Sequence, residues 1–140
     1  MIYLKGENEP LMCLKSPNGI PGASETFDEL EKRIGSLKGR RFYGLSRMEN
    51  GKEEYFACVR VEAGDEPEKL GLSEVVFEAG RYDREVIRDW SSKWDGDNIE
   101  GLPDIFGEMA QRNETMIDES RFSVEYYRSQ KELYVYIPLK

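Results

Sequence analysis

The feature that most constrains this fold is a pattern that occurs twice. Arg41 and Phe42 begin a run of strand character that turns at Glu49, Asn50 and Gly51 and returns through Lys52 to Val59. Arg121 and Phe122 begin a second run that returns through Lys131 to Pro138, one extra turn residue separating the two registers. Asn-Gly between strand-like runs is a strong hairpin signal. A helical pattern precedes each hairpin, and an extended run precedes each helical pattern. Each half therefore reads strand, helix, strand, strand. The pattern predicts an α+β fold of one domain over 140 residues, with pseudo-repeats at about 10–63 and 73–140. Its antiparallel sheet would carry both helices on one face and leave a ligand cleft on the other.

Within the first half, Leu11 to Lys15 read as a strand ended by the turn residues Ser16, Pro17, Asn18 and Gly19. Thr26 serves as an N-cap with Glu29 three residues on, and Phe27, Leu30, Ile34 and Leu37 recur at helical spacing before Gly39. Gly64 to Leu72 is polar, contains Pro67 and reads as the linker. In the second half, Glu74 to Ile87 read as one long strand, bent or bulged at Gly80. Ser91 to Asn98 is a polar loop carrying Trp94, with Trp90 just before it. Asn98 is the expected cap of a second helix whose stripe is Ile99, Leu102, Ile105, Phe106 and Met109, Pro103 being tolerable in its first turn.

The last hairpin holds the candidate site. Successive strand residues face opposite ways, so Phe122, Val124 and Tyr126 share one side while Ser123, Glu125 and Tyr127 share the other. Pairing the apolar sets, including Leu133, Val135, Ile137 and Leu139, toward a core would leave Glu125, Tyr127, Tyr134 and Tyr136 together. A carboxylate among tyrosine rings attracts a cationic or planar aromatic guest; a solvated sheet face with an ordinary surface glutamate is the alternative. Matching the repeats aligns Tyr55 with Tyr134, Ala57 with Tyr136 and Leu45 with Glu125, so Tyr43, Leu45, Tyr55 and Ala57 would continue the face into an aromatic groove. Trp90 and Trp94, four residues apart, either clamp a guest from the loop or plug the core.

Composition narrows the chemistry. No histidine occurs, which removes Ser-His-Asp and Cys-His catalysis and histidine-based metal or haem ligation. The net charge of -8, with basic residues scattered, argues against a nucleic-acid surface and favours cationic small molecules. The cluster Lys38, Arg40 and Arg41 is expected to complement the first helix's C-terminal dipole. Cys13 and Cys58 lack metal or redox spacing and are expected to be buried free thiols. The apolar runs fall far short of a membrane span and Met1 to Lys5 lack a signal peptide's core, so the expected location is the cytoplasm. No metal or cofactor is implied. The run from Trp94 to Glu100 does not follow the EF-hand loop, and Glu78, Asp83 and Glu85 do not form a glycosidase pair.

The duplicated pattern, the Phe-x-x-Glu-Tyr of Phe122 to Tyr126 and the terminal Leu-Tyr-x-Tyr-Ile-Pro-Leu of Leu133 to Leu139 together resemble the GyrI-like family. It shares a superfamily with the effector-binding domains of AraC-type and MerR-type multidrug regulators. The likeness runs from about Leu11 to Lys140 and is sharpest over the last twenty residues or so. It implies two tandem SHS2 modules whose joined sheets bind lipophilic, often cationic, aromatic compounds. The family's pocket glutamate carries over onto Glu125, and its final-strand aromatics onto Tyr134 and Tyr136. Many members bear a tryptophan in the second helix, where this chain has Leu102 and Pro103, leaving Trp90 and Trp94 as displaced candidates. The expected role is a stand-alone small-molecule-binding protein. The alternatives are a hydrolase of the same fold that opens reactive cyclopropane-type or ester compounds with Glu125, and a protein-interaction module such as a gyrase-inhibitor-like protein with a protein partner. The regulators' helix-turn-helix has no counterpart here, so no direct nucleic-acid contact is expected.

Overall fold

A computed structural model describes residues 1–96 and 99–140; the Asn98 cap lies outside the described residues. The described strands are β1 (Ile2–Lys5), β2 (Glu9–Lys15), β3 (Phe42–Glu49), β4 (Lys52–Arg60), β5 (Ser73–Phe77), β6 (Gly80–Arg88), β7 (Ser123–Tyr127) and β8 (Glu132–Leu139). The helices are α1 (Ala23–Ile34) and α2 (Leu102–Arg112), with short 3₁₀ turns at Ile20–Gly22 and Trp90–Lys93. The duplicated unit is present as β2-α1-β3-β4 and β6-α2-β7-β8. All strands join one antiparallel sheet in the order β1-β6-β8-β7-β3-β4-β2-β5, so the units meet at the β7–β3 pairing.

The sheet is apolar on both faces. On one, α1 packs Leu30 with Phe27 and Ile34 against Met12, Ala57 and Val59, while α2 packs Met109 with Leu102, Ile105 and Phe106 against Ile87, Leu133, Val135 and Ile137. On the other, Leu11, Tyr43, Leu45, Phe77, Tyr82, Val124 and Tyr136 form a cluster with no helix over it. Phe77 on the terminal strand β5 lies 5.4 Å from the Tyr82 ring of β6 and 5.2 Å from the Tyr136 ring of β8, strands near the opposite end of the sheet. The sheet must therefore curl, and aromatic rings line its helix-free face.

Two-sided burial overturns the expected division of faces. Across β7 and β8, Glu125 lies opposite Val135 and Val124 opposite Tyr136. Glu125 and Tyr127 thus share the helix-bearing face with Leu133 and Val135, whereas Tyr134 and Tyr136 lie with Val124 and Tyr126 on the other. Grouping apolar residues on one side works only when the second side is wet, and here neither is. The repeat alignment slips for the same reason: Leu45 and Tyr43 belong to the helix-free face while Glu125 does not, and Tyr55 shares the side of Glu125 while Tyr134 does not, so the aligned residues do not continue one face.

Other departures are local. The run Glu74 to Ile87 is two strands separated by Glu78 and Ala79: β5 pairs with β2, while β6, starting at Gly80 (φ 144°), pairs with β1 and β8. Strand β1, only four residues long and followed by Gly6 and Asn8, was not anticipated. Helix α1 begins three residues before Thr26, whose hydroxyl donates back to the Gly22 carbonyl at 2.8 Å, and ends at Gly35, leaving Leu37 exposed. Arg40 makes a two-pronged ion pair with Asp65 at 2.6 and 2.7 Å, fastening the linker instead of completing a helix dipole. Cys13 and Cys58 face each other across β2 and β4 and form a buried disulfide. Their sequence separation hides a proximity that only strand register creates.

Candidate functional site

Glu125 points from β7 into the helix-bearing side at the junction of the two units. Its neighbours across the sheet are Gly44 on β3 and Val135 on β8. Tyr127, two residues along β7, donates its hydroxyl to Glu125 Oε1 at 3.0 Å, and Tyr55 on β4 donates to the same oxygen at 2.7 Å. Tyr55 reaches across β3 because Gly44 lies between: a Cβ there would overlap the Tyr55 hydroxyl and sit 2.5 Å from Glu125 Oε1. Interior strand glycines often mark such close approaches. No described residue donates to Oε2.

Aromatic rings wall this carboxyl. Phe27 of α1 stands edge-on to Tyr55 and Tyr127, with centroids 6.3 and 5.7 Å away. Trp90 stands edge-on to Tyr127 at 5.2 Å and is fixed by donating Nε1–H to the Ser129 carbonyl at 2.7 Å. Burial pushes the Glu125 pKa up, and the two tyrosine hydrogen bonds only partly oppose it. Burial and the adjacent Glu125 charge push Tyr55 and Tyr127 well above the ordinary phenol value, so both stay protonated donors. A carboxyl so placed is poorly solvated when ionised, and a cation reaching Oε2 would stabilise its charge.

Of the expected site residues, the fold gathers Glu125, Tyr127, Tyr55 and Trp90. Trp94 is 49% exposed and bridges to Ile99. The other three lie across the sheet. Tyr43 donates to the buried Glu9 carboxylate and stacks on Tyr126 at 4.7 Å. Tyr136 packs edge-on against Tyr3, Phe77 and Tyr82, and Tyr134 accepts a hydrogen bond from Arg128 at 2.8 Å. Phe27 and Gly44 were missed. Phe27 was legible only as part of an apolar helix stripe, while an interior glycine in a predicted strand was a usable signal for Gly44.

Among the described residues, no group of three or more cysteine, aspartate or glutamate side chains could hold a metal ion, and no helix is long and apolar enough to cross a membrane. No family model and no curated protein sequence matches the chain. Solved structures do, over its full length. An integron cassette protein from the mobile metagenome of Vibrio cholerae aligns with 95% of its own chain at 11% identity and a TM-score of 0.63. SAV2435, solved bound to tetraphenylphosphonium, aligns over 93% of its chain at 16% identity and a TM-score of 0.64. A hydrolase from Listeria innocua aligns over 91% of its chain at 14% identity and a TM-score of 0.56. With its duplicated unit, curled antiparallel sheet and two helices on one face, the chain has the GyrI-like fold that its C-terminal strands resembled.

Proposed function

We propose that this chain is a small-molecule-binding protein that takes a lipophilic aromatic cation against Glu125. The observation that carries the reading is the carboxyl itself: desolvated, held through one oxygen by two phenols, with no described donor on the other. An ionised carboxylate in such surroundings is costly unless paired. A large cation with diffuse charge loses little hydration on entering, meets the carboxylate in a low-dielectric setting, and presents rings to Phe27, Tyr127 and Trp90. The bound tetraphenylphosphonium of SAV2435 shows that this fold accommodates such a guest in that protein.

A second reading is hydrolysis, with Glu125 as general base on a water that attacks an electrophile and a tyrosine hydroxyl as acid. It is favoured by an Oε2 that no described residue donates to and by a hydrolase among the structural matches. One experiment separates the two. Tetraphenylphosphonium and a panel of neutral, reactive aromatic esters are titrated into wild type and Glu125→Gln. Tryptophan fluorescence is followed, since Trp90 adjoins Tyr127, and mass spectrometry is run on each mixture afterwards. Binding of the intact cation that weakens at least tenfold in Glu125→Gln supports the binding protein. Conversion of an ester by wild type alone supports the hydrolase. Equal affinity of both proteins for the cation refutes a role for Glu125.

A further inference from the structure

Tyr134 and Tyr136, turned away from Glu125, adjoin Arg84 instead. Arg84 lies on β6 directly opposite Tyr136 of β8. Its guanidinium sits 4.4 Å from the Tyr3 ring centroid and 5.1 Å from that of Tyr134. It is half-buried, yet no described carboxylate pairs with it. Among the described residues, the other arginines without a carboxylate partner, Arg41 and Arg81, are exposed. Among the described side chains Arg84 hydrogen-bonds the Tyr136 hydroxyl, which engages part of the guanidinium and leaves further N–H groups of the planar fork for an anion.

The surroundings favour an anion. Arg88 and Arg128 flank this part of the sheet and share a single carboxylate, Glu132, at 3.2 and 3.3 Å. Arg128 also lies 5.8 Å from the Tyr134 ring centroid. Three guanidiniums against one carboxylate make a local positive patch on a chain whose net charge is -8. On a chain of net negative charge, a patch of opposite sign favours where an anion can settle. Tyr126, edge-on to Tyr134 at 6.1 Å, adds a half-buried ring beside the patch.

We propose that the helix-free face carries a second binding site, for a planar aromatic carboxylate, with Arg84 gripping the carboxylate and the rings of Tyr3, Tyr126 and Tyr134 contacting the arene. A carboxylate matches two parallel guanidinium N–H groups, and an arene gains contact area on tyrosine at small cost in side-chain freedom. The site lies across the sheet from Glu125 and has the opposite charge preference, so it does not depend on the cation reading.

The probe is 2-naphthoate, with 2-naphthylmethanol as its neutral counterpart, titrated calorimetrically into wild type, Arg84→Met and Arg84→Lys, each checked for folding by circular dichroism. We expect 2-naphthoate to bind wild type at least tenfold more tightly than the alcohol. That preference should vanish in Arg84→Met and fall several-fold in Arg84→Lys, which keeps the charge but loses the planar fork. Tetraphenylphosphonium should bind Arg84→Met as it binds wild type, and its saturation should leave 2-naphthoate affinity unchanged. Failure of 2-naphthoate to bind, equal binding of acid and alcohol, indifference to Arg84→Met, or displacement by tetraphenylphosphonium would each overturn the proposal.

Discussion

Replacing Gly44 with alanine tests the architecture of the carboxyl site through a residue that contacts no ligand in the argument. Gly44 has no left-handed backbone requirement. An alanine in a strand interior should ordinarily stabilise by about 0.5–1 kcal/mol through lower unfolded-chain entropy. The structure predicts the reverse. The added methyl would overlap the Tyr55 hydroxyl and stand 2.5 Å from Glu125 Oε1, against an ordinary contact of 3.4 Å. Relief requires Oε1 to move by about 0.9 Å and the Tyr55 hydroxyl to move further, enough to spoil the 2.7 Å hydrogen bond between them. A hydrogen bond to a charged acceptor is worth about 1.5–3 kcal/mol, so affinity for tetraphenylphosphonium should fall roughly tenfold to a hundredfold. Overpacking should also lower the unfolding free energy by about 1–3 kcal/mol. Fluorescence titration and urea unfolding read the two effects, and a cycle with Tyr55→Phe sharpens them. Once the hydroxyl is gone the alanine should cost markedly less, because the two changes remove the same contact. Wild-type affinity with raised stability in Gly44→Ala would refute the reasoning.

Three further outcomes are expected. Converting Cys13 and Cys58 to serine opens a loop with a sequence separation of 45, which should lower the unfolding free energy by about 4 kcal/mol on chain-entropy grounds, read as a lower urea midpoint. Because burial raises Glu125 above its ordinary 4.5, the native state holds that proton longer than the unfolded chain. Stability should therefore fall as pH rises from 4.5 through the raised value, while cation affinity climbs over the same interval; Glu125→Gln should flatten both slopes. For Asp83, burial alone would raise the pKa, but hydrogen bonds from Arg112, the Met1 amino group and Asn113 win and hold it at about 2. Its contribution is complete above 3.8 and is lost as pH falls through about 2, so Asp83→Asn should remove that part of the acid-induced loss in a thermal-unfolding series.

What the sequence disclosed was local and periodic. Asn50 and Gly51 form the expected tight turn, both with positive φ (52° and 78°), and Glu49 pairs with Lys52 across it. Pro103 sits in the first turn of α2, where its missing N–H costs nothing. Glu125 stood out as a lone carboxylate among aromatics, and Tyr55, Tyr127 and Trp90 do gather near it. What failed was global. Tyr43, Tyr134 and Tyr136 were assigned to the wrong side because period-two patterning identifies a buried face only if the opposite face is polar. In β8 the residues from Val135 to Leu139 are all buried, so alternation is absent where it was needed most. The pairing of Cys13 with Cys58 and the crossing of Gly44 by Tyr55 depend on register between strands distant in sequence, which no single segment encodes.

The helix-free aromatic cluster has a consequence for how this molecule breathes. Phe77, Tyr82, Tyr136 and Tyr43 tie distant strands together without help from either helix. The sheet therefore has its own source of cohesion, and separation of α1 or α2 from the Glu125 side need not dismantle it. Amide hydrogen exchange should divide accordingly. Protection in β8 should approach that of global unfolding, whereas α1, which ends without side-chain caps and packs on one face only, should exchange through smaller openings. Such a division would let a bulky guest reach the half-buried carboxyl by loosening one layer while the other keeps the chain's shape.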